Sequence, residues 1–199
     1  MKFIAVDFET SGLEASRHAP VSLTLALFEG GEVTECREFK IGRIARREYD
    51  VCALQISGTT WPEICKAPSI KEVMQHVSVW VALQRAEYLP IVAFNAAFDH
   101  AWYRECLFLA GAWEVRYPDK RYRTFFPPLR GGWFCPMTWA QATLPHLPDY
   151  KLDTVAAHFG LARESDRHGA AEDAILCGKV AVQIASILGE NGVQLGGWE

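Results

Sequence analysis

The chain has 199 residues, of which 50% are hydrophobic and 12% aromatic, and its formal net charge at pH 7 is −4. This length and composition suit a globular domain with a buried core and exclude an intrinsically disordered chain. The acidic balance also argues against a protein that holds nucleic acid by bulk positive charge alone. The 6 cysteines form no CxxC pair, which favours free thiols in a reducing compartment over disulfides or a zinc site.

The sequence contains neither targeting nor membrane-spanning signals. Its N-terminus lacks the apolar region and cleavage site of a signal peptide, and no apolar run reaches the roughly 18 residues needed to span a bilayer. We therefore expect a cytoplasmic protein without a membrane partner. Because no internal repeat or low-complexity segment occurs either, a single domain over residues 1–199 is predicted.

The first part of the chain predicts strands followed by a helix. Residues 2–9 are apolar on both faces, as in a central strand. Two further strand-like runs lie within residues 21–42 and meet at Glu29-Gly30-Gly31-Glu32, a hairpin signal. After a less regular stretch, a helix is predicted over about 69–84, where Ser69 and Glu72 form a capping box.

The later part alternates strand and helix. Residues 89–95 (LPIVAFN) predict a short strand, and residues 96–112 a helix. Another helix is expected over 150–161, and a long one over about 169–188 that stops at a GENG sequence. Strands first, then alternating strands and helices, favour an α/β domain with a central mixed β-sheet and flanking helices.

Residues 114–133 (EVRYPDKRYRTFFPPLRGGW) interrupt this pattern. Five basic residues stand against two acids, with aromatics between them, which predicts a loop or extended arm inserted into the domain. Such an arm could track phosphates and stack on bases; the alternatives are an exposed loop or a protein interface at its FFPP sequence. The candidate strand contacts are Arg116, Lys120, Arg121, Tyr122 and Arg123.

Asp7 and Glu9 stand at the end of the predicted central strand. Residues two apart on a strand face the same way, roughly 6.5–7 Å apart along the chain. Two such carboxylates repel each other and are costly to bury unless a proton or a cation offsets their charge. The alternative is that the strand emerges into solvent here and the acids are only its polar tip.

Two more acids and a histidine complete a constellation. Asp99 lies on the first turn of the helix after residues 89–95, where the helix dipole favours an acid and where ligands collect in α/β sheets. Asp173 heads the apolar stripe of the last helix, so its carboxylate should point into the protein. His168 falls on the loop or first turn before it. Four carboxylates and one imidazole suit Mg²⁺ or Mn²⁺ better than zinc.

At these residues the sequence resembles the DEDDh 3′–5′ exonucleases, a DnaQ-like family. The family's first motif, Asp-x-Glu-Thr-x-Gly, stands here at residues 7–12, and its second, an Asn followed by Phe-Asp, at residues 95–99. The third motif, His-x4-Asp, stands at His168–Asp173. A sister branch carries Tyr four residues before the final Asp, where this chain has Gly169. The three motifs occur in order across nearly the whole chain.

The resemblance implies an RNase H-like fold and phosphodiester hydrolysis with two Mg²⁺ ions, for which Mn²⁺ would substitute. It implies that the ions are bound by Asp7, Glu9, Asp99 and Asp173, and that His168 is the general base. The implied substrate-binding residues are Thr10, Ser11, Gly12, Leu13, Asn95 and Phe98. Leu13 and Phe98 would wedge or stack against the terminal base, with core packing as the alternative.

We therefore expect a metal-dependent 3′–5′ exonuclease that acts on nucleic acid 3′ ends, with single-stranded DNA preferred to RNA. Two alternatives stay open at this point: an exoribonuclease acting on short RNA, and a non-catalytic nucleic-acid-binding or scaffold module. Strand edges and the FFPP sequence offer surfaces for a protein partner or a homodimer.

Overall fold

The computed structural model describes residues 1–111, 115–116, 122–123, 129–163 and 169–190. The strands are β1 Lys2–Thr10, β2 Pro20–Glu29, β3 Glu32–Lys40, β4 Ile91–Val92, β5 Val115–Arg116, β6 Tyr122–Arg123 and β7 Trp133–Phe134. The helices are α1 Val51–Ile56, α2 Trp61–Lys66, α3 Ile70–Leu83, α4 Ala96–Leu109, α5 Pro136–Thr143, α6 Leu152–His158 and α7 Ala170–Glu190.

Five strands form one mixed sheet in the order β3-β2-β1-β4-β7, and β5 pairs with β6 in a separate two-stranded sheet. β1 is antiparallel to β2 and parallel to β4, so the predicted central strand lies in the middle of the main sheet. The predicted hairpin joins β2 to β3 through Gly30 and Gly31, whose φ angles are +64° and +93°. Two consecutive residues with positive φ make the turn that matches strand twist, which glycine adopts most easily.

The two faces of the sheet bury two different sets of side chains. On one face, Ile4 and Val6 of β1 pack in a cluster with residues of α3 and α4, including Trp102. On the other face, Phe3 and Ala5 pack against α7. Because side chains alternate along a strand, Asp7 and Glu9 continue the α7-facing row at the end of β1.

The sequence located the long elements, together with β4 within residues 89–95 and α6 within residues 150–161, and missed the other short ones. The α/β class with a mixed sheet is confirmed, and the helix predicted over 69–84 is α3, capped by Ser69. The stretch read as irregular contains α1 and α2, and α5 was not predicted at all. Within the described part of the chain, no helix is both long and apolar enough to cross a membrane.

Gly178 marks a tight contact between α7 and the sheet. A Cβ atom there would lie 2.2 Å from Cε2 of Phe28. The Phe28 ring is fully buried and stacks on Phe3, with the ring centroids 4.8 Å apart. The aromatic pair therefore has little room to move away from a larger residue at 178.

We expect Gly178→Ala to lower the free energy of unfolding by about 1–3 kcal/mol, because overpacking outweighs the better helix propensity of alanine. Gly189→Ala is the matched control on the same helix, since no atom of another element among the described residues lies within 4 Å of a Cβ built there. Urea denaturation of both variants measures the difference. Equal stabilities of the two variants would contradict the proposed contact.

Candidate active site

The carboxyl end of β1 brings together acids that are far apart in the sequence. Since β1 and β4 are parallel, their carboxyl ends meet at the same edge of the sheet, where ligands bind in α/β folds. α4 begins directly after β4 and carries Asp99 on its first turn. The Asp99 side chain is only 5% exposed, and its Oδ1 accepts a hydrogen bond from the backbone N–H of Phe8 at 3.2 Å. This bond ties α4 to β1 between Asp7 and Glu9.

The four acids predicted from the motifs act on one another electrostatically. Burial raises the pKa of Asp7 well above its usual value, and Asp99, Glu9 and Asp173 raise it further. Burial and the Asp173 carboxylate raise the pKa of Glu9 to about 7, with a smaller contribution from Glu38. The pKa of Asp99 rises mainly through burial. The structure thus places Asp7, Glu9, Asp99 and Asp173 in one cluster that favours protons or a cation.

Arg163 supplies positive charge to this cluster. Its Nε donates to Oδ1 of Asp173 at 2.5 Å, and its Nη1 pairs with Asp153 of α6. The Arg163 side chain is 12% exposed and that of Asp173 16%, so this ion pair is largely shielded from water. The same guanidinium opposes the rise in the pKa of Asp7. The sequence prediction missed Arg163, because a lone arginine after a helix carries no motif.

The donor set of the cluster fits divalent metal ions. Within the described residues, no three His, Cys, Asp or Glu side chains already have the spacing needed to hold a metal, and Asp173 is engaged by Arg163. The chemistry nevertheless matches, since buried carboxylate oxygens with raised pKa values are the ligands that Mg²⁺ and Mn²⁺ prefer.

Two buried hydroxyl groups beside the acids also support a metal site. Thr24 of β2 stands opposite Asp7 in the strand register, and Ser22 opposite Glu9. Both residues are buried, and among the described residues neither hydroxyl has a hydrogen-bond partner. Buried hydroxyl groups without partners are costly. A hydrated ion held by Asp7 and Glu9 would give them partners.

The turn after β1 departs in part from its prediction. Thr10 donates to the Gly12 carbonyl at 2.7 Å, and Leu13 projects into solvent with 83% of its surface exposed, so the core-packing alternative for Leu13 is wrong. Position 12 requires glycine, because a Cβ atom there would lie 2.2 Å from the ring of His18. Phe98 is half-buried and stacks edge-on against Trp102.

Ser11 does not line the cavity that opens beside the acids. It is fully buried; its Oγ donates to the Glu48 carbonyl at 2.7 Å and accepts from the Ala19 N–H at 2.8 Å. The prediction that Ser11 binds substrate is therefore corrected: the hydroxyl holds the loop in place.

A cavity of about 700 Å³ opens beside the acids. Of the predicted residues, it is lined by Glu9, Thr10, Gly12, Leu13 and Phe98. Asn95, by contrast, is exposed, begins α4 through its backbone carbonyl, and is not among the described residues of the lining.

The opposite wall of the cavity was not predicted. It is formed by α1 and the residues before it, including Tyr49 and Ile56. Ile56 is 70% exposed and faces the space between α1 and the turn after β1. The only sequence signal was an apolar side chain in a short irregular stretch, which is too weak to identify.

Some predicted residues lie outside the described part of the chain. These are His168, Lys120 and Arg121. Arg116, Tyr122 and Arg123 belong to the small β5–β6 sheet, of which only the backbone is described. The roles assigned to all six from the sequence stay predictions.

Comparison with known proteins identifies the class. A family profile of RNase T-type exonucleases matches residues 4–181. DNA polymerase III subunit epsilon of Aquifex aeolicus (strain VF5) is 24% identical over 184 residues, covering 92% of this chain and 79% of that protein. The solved structure of Exonuclease X in complex with 5′ overhanging duplex DNA has a TM-score of 0.67 at 18% identity, covering 94% of this chain and 93% of that one.

A second solved structure is the nuclease domain of 3′hExo, a DEDDh family member bound to rAMP. It has a TM-score of 0.70 at 15% identity, covering 98% of this chain and 94% of that one. The RNase H-like fold predicted from the sequence is confirmed. The chain belongs to the RNase T exonuclease family and is a 3′–5′ exonuclease of the DEDDh type.

We expect Asp99→Asn to stabilise the metal-free protein by on the order of 2 kcal/mol at pH 8. Asparagine removes one buried negative charge but can still accept the Phe8 hydrogen bond. Because the folded-state pKa of Asp99 is raised, wild-type stability falls as pH rises from the unfolded value towards about 7. The gain should therefore be largest above pH 7 and vanish near pH 4.

Thermal unfolding in EDTA and in Mn²⁺ measures this effect. Mn²⁺ should raise the Tm of the wild type more than that of Asp99→Asn. Glu32→Gln, an exposed acid at the start of β3, serves as the control and should behave like the wild type. A metal-free Asp99→Asn variant no more stable than the wild type at pH 8 would show that the cluster carries no strain from charge.

Proposed function

We propose that the chain is a metal-dependent exonuclease that removes nucleotides one at a time from the 3′ end of single-stranded DNA. The observation that supports this most directly is the convergence of four carboxylates, from β1, α4 and α7, beside an open cavity. Neither a binding module nor a scaffold needs buried acids whose pKa values are raised at the mouth of such a cavity.

In this proposal Asp7, Glu9, Asp99 and Asp173 hold two divalent ions, Mg²⁺ with Mn²⁺ as a substitute. When bound, the ions supply Lewis acidity for the attacking water and for the departing 3′ oxygen. His168 takes the proton from that water, since an imidazole titrates near neutral pH. Arg163 releases Asp173 to the ions and keeps its pairing with Asp153.

The cavity would bind the terminal nucleotide. Leu13 and Ile56 expose apolar surface at its rim, and Phe98 lines it beside Glu9. Apolar and aromatic contacts grip any base and do not select a sequence. A base can reach between these side chains only when it is unpaired, which favours single-stranded ends.

DNA is the proposed substrate, and RNA the second candidate. The relative that matches 92% of this chain is a DNA polymerase subunit, and one similar structure contains duplex DNA. RNA is supported by a different observation, the similar structure with bound rAMP. The polymerase relative also supports a protein partner for this chain.

We further propose a single exonuclease domain with an insertion at about residues 114–133. The family profile spans residues 4–181, which supports one domain, and β5 and β6 stand apart from the main sheet, which supports an insertion. A cytoplasmic location belongs to the same proposal, because all 6 cysteines are free thiols.

Incubation with 5′-labelled single-stranded DNA and RNA oligomers tests the activity. We expect stepwise shortening from the 3′ end in Mg²⁺ or Mn²⁺, none in EDTA, and none by Asp7→Asn. DNA should be degraded faster than RNA. His168→Ala should lower kcat by roughly 10²–10⁴-fold while the Mn²⁺-induced rise in Tm persists.

Two outcomes would change the conclusion. Binding of oligomers without degradation in either metal would favour a non-catalytic binding module. Faster degradation of RNA than of DNA would make the exoribonuclease the better assignment.

The insertion is tested through its charges. We expect neutralisation of Arg121 and Arg123 to glutamine to weaken DNA binding and flatten its salt dependence, by about 0.7 in the logarithmic slope for each lost phosphate contact. Affinity measured between low and moderate salt gives the slope. Arg85→Gln, which changes an exposed arginine after α3, is the control. If the Arg121 and Arg123 variant has the same salt slope as this control, residues 114–133 do not contact the strand.

A further inference from the structure

A second concave surface lies on the other side of α1 from the active-site cavity. This groove has a volume of about 600 Å³. It is lined by Tyr49, Val51, Leu54, Gln55, Gly58, Thr59, Thr60 and Trp61, none of which carries a charge at neutral pH. We call it the Trp61 groove. Tyr49 also lines the active-site cavity, so the two surfaces adjoin.

Trp61 is held rigidly at one end of the groove. It is the first residue of α2, whose N-cap Thr60 forms a capping box with Glu63 and whose second residue is proline. The Tyr49 ring meets the Trp61 ring edge-on, with centroids 5.1 Å apart, and the Tyr49 hydroxyl accepts a hydrogen bond from the Ile44 N–H at 2.8 Å. A flat ring fixed in this way loses little entropy when another ring packs on it.

The groove exposes more apolar surface than the fold requires. Trp61 is 45% exposed and Val51 is 68% exposed, although large apolar side chains are normally buried. The Arg43 guanidinium lies 5.9 Å from the centroid of the Trp61 ring, and its side chain is exposed. An exposed aromatic ring beside an arginine is the combination that binds a base and its phosphate in single-stranded nucleic acid.

We propose that the Trp61 groove is a second nucleotide subsite, in which a base of the substrate strand upstream of the 3′ end stacks on Trp61 and Arg43 contacts a neighbouring phosphate. This inference rests on the proposed exonuclease function, because the strand enters the groove from the active-site cavity. A helix is about 10 Å across, and stacked bases are spaced by about 3.4 Å. The groove is therefore reached by roughly the third or fourth nucleotide from the end.

Substrate length separates this subsite from the active site. We compare labelled oligothymidylates of two, four and eight nucleotides with the p-nitrophenyl ester of thymidine 5′-monophosphate, which fills only the terminal position. The variants are Trp61→Ala, Trp61→Phe, which keeps a ring, and Arg43→Gln. Leu83→Ala is the control, because Leu83 is an exposed apolar residue of α3 outside both concave surfaces.

We expect the wild-type KM to fall between the dinucleotide and the octanucleotide. Trp61→Ala should raise the KM for the octanucleotide by roughly 5- to 100-fold, the effect of losing one stacked base. Its kinetics on the ester and the dinucleotide should match the wild type. Trp61→Phe should raise the KM for the octanucleotide less than Trp61→Ala does. Arg43→Gln should weaken octanucleotide binding most at low salt.

Three results would overturn the proposal. The first is an octanucleotide KM of Trp61→Ala equal to that of the wild type. The second is an equal loss on the ester and on all oligomers by both Trp61 variants, which would mean that Trp61 only supports the fold of α1 and α2. The third is a wild-type dimer that Trp61→Ala converts to a monomer with unchanged octanucleotide KM, which would mean that the groove binds a second copy.

The proposed function can fail separately. If the wild type hydrolyses neither the ester nor any oligomer, fluorescence anisotropy of the labelled octanucleotide in Ca²⁺ still tests the groove. Weaker binding by Trp61→Ala than by Leu83→Ala would support the subsite, and equal binding would exclude it.

Discussion

The mutual repulsion of four carboxylates, one buried and three half-buried, is the constraint around which this structure is arranged. Burial is the largest cost of ionising Asp7 and Glu9, and Asp99, Glu9 and Asp173 each raise that cost for another member of the cluster. The fold brings these acids together because β1 is central, α4 follows the adjacent parallel strand, and α7 packs across the same sheet face. Apolar packing along these elements offsets the repulsion at their ends. The least favourable charges therefore lie where the sheet can hold them most rigidly.

Arg163 shows how the chain balances this charge by itself. Its guanidinium joins Asp173 of α7, with which it forms a pair largely shielded from water, to the exposed Asp153 of α6. A buried acid without a partner costs more than a paired one, so this pair supports the fold as well as the site. A divalent ion that binds Asp173 would take the place of the Arg163 guanidinium as the cation beside this carboxylate. A carboxylate without a cationic partner is then avoided in both states.

The sequence predicted the acidic cluster better than the surfaces around it. Asp7, Asp99 and Asp173 could be placed because each has a recognisable position: a strand end, a first helical turn, and the head of an apolar stripe. Ser11 was misjudged because its neighbours in the motif face the cavity while its own hydroxyl closes a contact with Glu48, 37 residues away. A long-range hydrogen bond of this kind leaves no periodic signal in a sequence.

The short elements were lost for a related reason. α1 and α2 have six residues each, fewer than two helical turns, so their apolar residues cannot establish a helical period. β7 has two residues and is a strand only through its pairing with β4, whereas β4, also two residues long, was predicted from the apolar run at residues 89–95. Tertiary contacts create these elements, and of them α1 and the start of α2 form walls of the two concave surfaces. Fold class is thus encoded locally in this chain, while the shape of the binding surface is not.

This arrangement also explains how an acidic protein can hold a polyanion. With a net charge of −4 and four carboxylates at the catalytic edge, long-range attraction to phosphates is weak before any metal binds. Contacts that do not depend on charge would then have to add to the phosphate contacts proposed for Arg43, Arg121 and Arg123. In the proposed function Leu13, Ile56 and Trp61 provide them, as exposed apolar side chains on both sides of α1. Because these apolar contacts act on the bases, affinity should grow with the number of unpaired bases engaged and depend less on salt than it would for a protein that holds the strand by basic residues alone.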